Sequence, residues 1–238
     1  MQDDEKKRFA TNEPRGSGTR NPRRERAASE ETRRRIQAAA ERLFARQGYG
    51  ATGMRQIARE AEVNLATIAY FFESKAGLLR AILDDYFDGF TATLRANLPG
   101  DAPLEDRLRR TIHAGVDYFA AHRDQLLIVI PELNRDMPEI TELKVRRVRE
   151  IARVFWGEVI EPLAAAGRAV PPYVVAPALM LLTASRFLLA PVLEPIAAEL
   201  SGGGAPAIND HEYADAIATL YLEGLTGLMG RGPAGGAA

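Results

Sequence analysis

Between Thr52 and Lys75 the sequence TGMRQIAREAEVNLATIAYFFESK collects side chains suited to gripping a polyanion. Thr67 and Tyr70 bring two hydroxyls to one side of a short helix, where they can reach bases and phosphates. Lys75 follows the helix-capping Ser74. At that position free backbone N–H groups, the positive end of a helix dipole and an ammonium converge on one anion, and a DNA phosphate fits that description.

Two helices around a tight connection must position these groups. Met54, Ile57, Ala58 and Ala61 fall at i, i+3, i+4 and i+7, one apolar stripe that breaks at Glu62-Val63-Asn64. Asn64 is suited to cap the second helix, because its side-chain oxygen accepts a backbone N–H from the first turn. A 100° step per residue then turns Ile68 and Phe72 inward with Val63, while Ala66, Thr67 and Tyr70 look outward.

At these residues the chain resembles the TetR (tetracycline repressor) family of transcriptional regulators. Upstream, Arg33, Ile36, Ala39, Ala40, Leu43, Phe44, Gly48 and Tyr49 stand at the spacing of the family's opening helix, R-x-x-I-x-x-A-A-x-x-L-F-x-x-x-G-Y. Ile57, Ala58, Ala61 and Val63, then Tyr70, Phe72, Ser74, Lys75, Leu78 and Leu79, match the next two runs. The resemblance is specific over about residues 30–83 and architectural beyond. It implies DNA contacts from Arg55, Asn64, Leu65, Ala66, Thr67, Tyr70, Phe71 and Lys75. Arg55 would touch bases or phosphates, Thr67 would read bases, and Tyr70 and Lys75 would anchor phosphates. Four positions depart from the pattern. Glu62 replaces the usual turn Gly, so a positive φ there would carry strain on the order of 1 kcal/mol or more. Ala69 replaces a DNA-contacting Tyr, Phe71 replaces His, and Leu65 is apolar where a polar reader is frequent. The operator sequence therefore does not transfer.

Charge distribution agrees with DNA binding although the net charge is −1. Residues 1–80 hold 17 Lys/Arg against 11 Asp/Glu, and the remainder holds 14 against 21. A basic N-terminal module on an acidic body is steered towards DNA, because each phosphate neutralised releases counterions. A merely solvated charged surface is the alternative. The absence of cysteine excludes disulfides, thiolate catalysis and zinc fingers, and suits a reducing cytoplasm. His113, His122 and His211 lack partners at a metal-binding helix spacing beyond the weak pair His113 and Asp117, so no metal and no cofactor are expected. Neither a nucleophile elbow nor a phosphate-binding Gly-rich loop is present, and an enzyme is not expected.

The organisation reads as an all-α chain in two domains, with no strand pattern and no internal repeat. Residues 1–28 are polar, with eight Lys/Arg and no signal peptide, and are expected to form a disordered basic arm in a cytoplasmic protein. Its Arg20, Arg23, Arg24 and Arg26 either reach DNA or merely solubilise the tail. Residues 29–78 form the helix-turn-helix domain, 79–230 a helical effector-binding and dimerisation domain, and 231–238 a disordered tail. Leu78, Leu79, Ile82, Leu83, Tyr86, Phe87 and Phe90 predict one long helix joining the domains. Further helices are expected at about 103–121, 124–133 with Pro131 kinking or ending it, 138–167, 172–189 and 210–229, the last two separated by a loop at Ser201 to Gly204. Tyr173 to Leu193 is apolar around almost its whole circumference, yet contains Arg186, Pro177 and Pro191 and reads as a buried core helix rather than a membrane span.

The resemblance implies that the last two helices pair with the same two of a second subunit in a homodimer, with burial inside one chain as the alternative. It also implies a small-molecule pocket among the helices of the larger domain, where His113, Phe119, Phe155 and Trp156 are the candidate ligand contacts, each also acceptable as ordinary core. The expected function is a repressor that binds a palindromic double-stranded operator and is released by an unknown small-molecule effector, without membrane contact. Two alternatives stay open: a structural or occlusion protein on DNA that has no effector, and a helical protein-interaction adaptor.

Overall fold

The computed structural model describes residues 22–168, 170–202 and 208–230, and every regular element among them is helical. Helix α1 (Pro22–Ala51) bends at Gly48, whose φ of 83° is open to glycine. Helices α2 (Met54–Glu60) and α3 (Leu65–Phe72) follow, and α4 (Lys75–Asn97) runs from the small N-terminal module into the body. The body adds α5 (Leu104–Ala121), α6 (Arg123–Asn134), α7 (Pro138–Phe155), the short α8 (Glu161–Ala165), α9 (Pro172–Leu200) and α10 (Asp210–Gly230).

The module folds because four apolar stripes meet. Ile36, Ala39, Ala40, Leu43 and Phe44 of α1 are buried with Ile57 and Ala58 of α2, Ile68 and Phe72 of α3, and Leu78, Leu79 and Ile82 of α4. The same core continues along α4 through Leu83, Tyr86, Phe87, Phe90 and Leu94 against α5 and α7. Polar ties reinforce this junction. Gln37 Nε2 donates to Asp85 at 2.7 Å, and Gln125 Nε2 on α6 donates to Glu41 on α1 at 3.0 Å. Tyr118 of α5 donates its hydroxyl to the Tyr86 carbonyl at 2.7 Å, beside Gly89, where a Cβ would lie 2.6 Å from that oxygen. Burial pushes the Tyr118 hydroxyl up to about 12, so it remains a donor at any physiological pH.

Several boundaries differ from expectation for identifiable reasons. Residues 22–28 are the first turns of α1 rather than part of an arm: Pro22 is suited to a helix start, and Arg, Glu and Ala extend an already nucleated helix without needing apolar burial. The remainder of the expected arm, residues 1–21 with Arg20, and the tail 231–238 lie outside the described residues, as does most of the loop around Gly204. Pro131 is carried inside α6 at an exposed position. A π turn, Trp156–Ile160, interrupts the long helix expected from 138 to 167. Pro162 accounts for it, since proline offers no N–H to the Glu158 carbonyl and its ring crowds that oxygen. The Glu161 N–H bonds Trp156 instead, five residues back, and Arg107 Nη2 approaches the Glu158 carbonyl at 3.5 Å.

Helix α9 departs furthest, extending to Leu200 through Pro177, Pro191 and Pro195, all exposed. It is long and apolar enough to cross a membrane, with a mean hydropathy of 1.7 over its most apolar stretch, of which 28% is buried. One face, with Val175, Leu179, Thr183, Ala184 and Phe187, packs inside the chain, and residues 191–200 are all exposed. The expected burial on several sides is therefore not met within one chain.

The α4–α7 contact is electrostatic at its centre. Arg147 of α7 reaches Asp84 at 2.5 Å and Asp88 at 2.6 Å on α4, with Glu150 at 2.9 Å. Burial alone would lower its pKa, and the bonds to Glu150, Asp84 and Asp88 outweigh that and raise it. Replacing Arg147 with Met should leave these carboxylates facing one another and lower stability by about 1–2 kcal/mol, a loss that grows smaller in high salt. Thermal unfolding of Arg147→Met across a salt series checks this; a salt-independent loss of the same size would assign the contact to packing of the side-chain stem.

Candidate nucleic-acid interface and ligand cavity

Helix α3 is held at both ends by strained backbone. Before it, Glu62 has φ 53°, the left-handed conformation that its replacement of glycine foreshadowed. Asn64 then caps the helix, its Oδ1 accepting from the Thr67 N–H at 2.8 Å and the Thr67 hydroxyl at 2.9 Å. After it, Glu73 adopts φ 64° and ψ −49° while the Ser74 N–H bonds the Phe72 carbonyl at 2.6 Å, a three-residue γ-turn of the rare, strained hand. Ser74 caps α4 through the Gly77 N–H at 3.0 Å. A Cβ on Gly77 would sit 2.0 Å from the Phe72 oxygen, so this reversal requires glycine there.

The resulting outer face of α3 presents Leu65, Ala66, Ala69 and Tyr70, with Tyr70 79% exposed. Arg55 and Arg59 are exposed on α2 beside it. Three of the expected DNA contacts are turned partly or wholly inward. Thr67 is half-buried with its hydroxyl spent on Asn64. Phe71 is half-buried, packed against the core and edge-on to Tyr70 at 5.0 Å. Lys75 needs the clearest correction, because its ammonium points inward. Nζ donates to the Tyr49 and Thr52 carbonyls at 2.8 and 2.9 Å and lies 4.2 Å from the centre of the Tyr49 ring. It fastens the start of α4 to the end of α1 and to the residues that precede α2. Its partners are backbone carbonyls 23 and 26 residues upstream, which spacing along the sequence does not reveal. Ala69, which stands where the family has a DNA-contacting Tyr, is exposed on this face and offers only a methyl group.

In the body, α4, α5, α7 and α9 enclose a cavity of about 390 Å³. Phe90 and Leu94 line it from α4, Ile112, Gly115 and Phe119 from α5, Ile151 and Phe155 from α7, and Ala176, Leu179 and Met180 from α9, with Trp156 at the start of the π turn. None of the described lining residues is charged. The two threonines in the wall, Thr111 and Thr183, donate their hydroxyls to Arg107 and Leu179 carbonyls at 2.8 and 2.7 Å. Among the described lining residues, Trp156 and Tyr173 carry the other polar side-chain groups, and both are exposed. Val148 and Ala152 are shared with a shallower groove that carries Arg135, Lys144 and Arg149. Of the expected ligand contacts, Phe119, Phe155 and Trp156 line the cavity. His113 does not: it lies on the side of α5 that meets α10, with Nε2 2.9 Å from Asp215 Oδ1. Helix α9 is the wall that sequence reasoning missed, having reserved that helix for an interface.

Residues 36–82 match the sequence profile of bacterial regulatory proteins of the tetR family. A probable HTH-type transcriptional regulator of Bacillus subtilis, YttP, is 29% identical over 114 residues, 47% of this chain and 55% of that protein. The chain spans about half or less of the length of the first curated relatives it matches. A regulatory protein of the tetR family from Rhodococcus RHA1 superposes with a TM-score of 0.68 at 26% identity, covering 81% of this chain and 95% of that one. AibR, solved with isovaleryl coenzyme A and operator DNA, has the same fold, with a TM-score of 0.62 at 19% identity over 79% and 97% of the two chains.

The turn between α3 and α4 makes opposite demands on two neighbouring residues. Gly77→Ala should disrupt the module, lowering the thermal midpoint by several degrees and removing DNA binding. Glu73→Gly should raise stability by about 1 kcal/mol by relieving the left-handed strain, without loss of DNA affinity. Calorimetry on both variants decides: stabilisation by alanine at 77, or destabilisation by glycine at 73, would refute the strained turn.

Proposed function

Because this chain belongs to the TetR family of bacterial regulatory proteins, we propose that it is a cytoplasmic, homodimeric, ligand-responsive repressor, released from a palindromic operator when an amphipathic effector enters its cavity. The single observation that carries this reading is helix α4, which begins at the γ-turn beside α3 and lines the cavity with Phe90 and Leu94. A ligand that displaces Phe90 pushes on the helix that carries the DNA-reading face.

The DNA contacts follow from the exposed face. Tyr70 and the open amides at the start of α4 anchor phosphates, Arg55 and Arg59 approach the backbone or base edges from α2, and Leu65, Ala66 and Ala69 meet the groove with apolar surface. Thr67 reads a base only by giving up its bond to Asn64. The role expected for the Lys75 ammonium passes to its backbone amide.

The effector class follows from the cavity wall. A lining without charge selects an apolar body, and the adjoining groove with exposed Arg149 offers an anionic headgroup a partner. An acyl thioester has that division, and the structural neighbour AibR binds isovaleryl coenzyme A. For assembly, α9 exposes Val192, Leu193 and Ile196 while α10 exposes Leu220 and Leu228, an apolar surface suited to pairing with the same face of a second copy.

Genomic fragments selected by the protein supply the operator, and titration of acyl coenzyme A thioesters of increasing chain length, followed by Trp156 fluorescence, supplies the effector test. Coupling is reciprocal: a ligand that weakens operator affinity by a given factor must itself bind more weakly by that factor when operator is present. Equal ligand affinity with and without operator would remove the allosteric claim and favour an effector-free DNA-binding protein. Tyr70→Phe should weaken binding to all sequences, whereas Ala69→Ser should alter discrimination at particular base pairs; identical, sequence-independent losses from both would overturn that division. Leu220→Glu should abolish the dimer and operator binding together, because the charge is buried twice across a two-fold axis. A variant still dimeric in sedimentation would move the interface away from α10.

A further inference from the structure

We propose that His113, His211 and Asp215 form a divalent transition-metal site that clamps α10 to α5. The Asp215 carboxylate divides between two imidazoles: Oδ1 lies 2.9 Å from His113 Nε2, and Oδ2 lies 3.3 Å from His211 Nδ1. The two rings are tilted at 60° to each other with centroids 4.7 Å apart, and one donor atom from each of the three residues lies within 4.8 Å of the others. Tetrahedral bonds of about 2.0–2.1 Å hold neighbouring ligand atoms roughly 3.4 Å apart. The two nitrogen–oxygen separations, one to each oxygen of Asp215, are near that figure, and a cation between the residues would need the three donor atoms to close from within 4.8 Å.

The three donor groups are drawn from two helices and converge on one point, and a divalent cation there would be held jointly by imidazole nitrogens and the carboxylate. Two imidazoles and a carboxylate suit zinc, cobalt or nickel rather than calcium or magnesium. His211 and Asp215 are exposed, so water can complete the coordination sphere. The start of α10 disfavours a cation through its dipole, but Asp210 and Glu212 in that first turn offset it, and Asp117 stands one turn along α5 from His113. Arg186, the cation nearest that turn in the bonding pattern, is held by Asp210 at 2.6 Å.

The site's position gives it a consequence. Helix α5 supplies Ile112 and Gly115 to the cavity wall, and α10 supplies the exposed apolar residues of the proposed dimer face. Bound metal would fix the two helices against each other from the side opposite the cavity. This assignment rests on side chains outside the cavity and survives if the effector reading fails.

The test is titration of the tag-free full chain with Co²⁺, followed by competition with Zn²⁺. One Co²⁺ per chain should give visible ligand-field bands that Zn²⁺ abolishes, and Zn²⁺ should raise the thermal midpoint of the wild type. His211→Ala, at an exposed position that folding does not need, should weaken Co²⁺ binding at least about tenfold and remove the zinc-dependent rise. Asp215→Asn should do the same, while His122→Ala, whose ring stacks on Tyr118, should leave both signals intact. Wild-type protein without bands, or a zinc-dependent rise equal in wild type and His211→Ala, would overturn the site. Circular dichroism of each variant separates lost ligation from lost folding.

Discussion

The Phe72 carbonyl oxygen occupies space that a methyl group on Gly77 would need, and that contact fixes the direction in which α3 leaves α4. Strain accepted at Glu73 closes the reversal in three residues, so no flexible loop separates the exposed face of α3 from the axis of α4. Lys75 reinforces the corner from inside, tying the first residue of α4 to the carbonyls that end α1 and precede α2. Two positive-φ residues bracket eight helical ones. Such backbone persists only where the surrounding packing over-determines it, and here buried Ile68 and Phe72 supply that packing from the middle of α3.

Under the proposed function α4 would act as a lever, and the contacts that would bear it are legible in its side chains. Asp84 and Asp88 hold it to Arg147 of α7, Asp85 holds it to Gln37 of α1, and the Tyr86 carbonyl holds it to Tyr118 of α5. Phe90 and Leu94, one to three turns further along, face the cavity. In the proposed coupling, displacement at that end would shift α4 against both these polar contacts and the buried Leu83, Tyr86 and Phe87, so the helix would move as a packed unit. A coupling of 1–3 kcal/mol, the usual range between two sites, requires only that the ligand prefer one of the two α4 positions by that amount.

Sequence reasoning reached the elements and stopped at directions that depend on distant backbone. The i, i+3, i+4 stripe of α2, the Asn64 cap and the long apolar run of α4 are local patterns, and all appear where periodicity puts them. The positive φ at Glu62 was legible as a glycine position filled by another residue. The inward turn of the Lys75 ammonium was not, because its acceptors are main-chain oxygens with no residue identity to read. His113 illustrates a second blind spot: α5 packs on α4, α9 and α10 at once, so periodicity says that a residue is inward without saying towards which neighbour. The length of α9 illustrates a third, since proline ends a helix only where its missing N–H and its ring cannot be accommodated, and Pro177, Pro191 and Pro195 all face solvent.

The apolar surface of α9 and α10 and the shortness of α3, the proposed reading helix, bear on the same requirement. Eight residues of α-helix are about 12 Å long, enough to follow roughly three or four base pairs. Contacts over so few pairs distinguish poorly among the many competing sites of a genome, and phosphate contacts add affinity without discrimination. Two copies joined rigidly double the sequence read and make the second engagement intramolecular, so affinity for a two-fold site rises by orders of magnitude without any new base contact. The same rigidity makes the pair sensitive to spacing, because recognition helices must enter successive major grooves about 34 Å apart. In the proposed dimer, a small rotation of α4 that one isolated module would tolerate becomes a mismatch between two, and a modest movement at the cavity would then suffice for the proposed release.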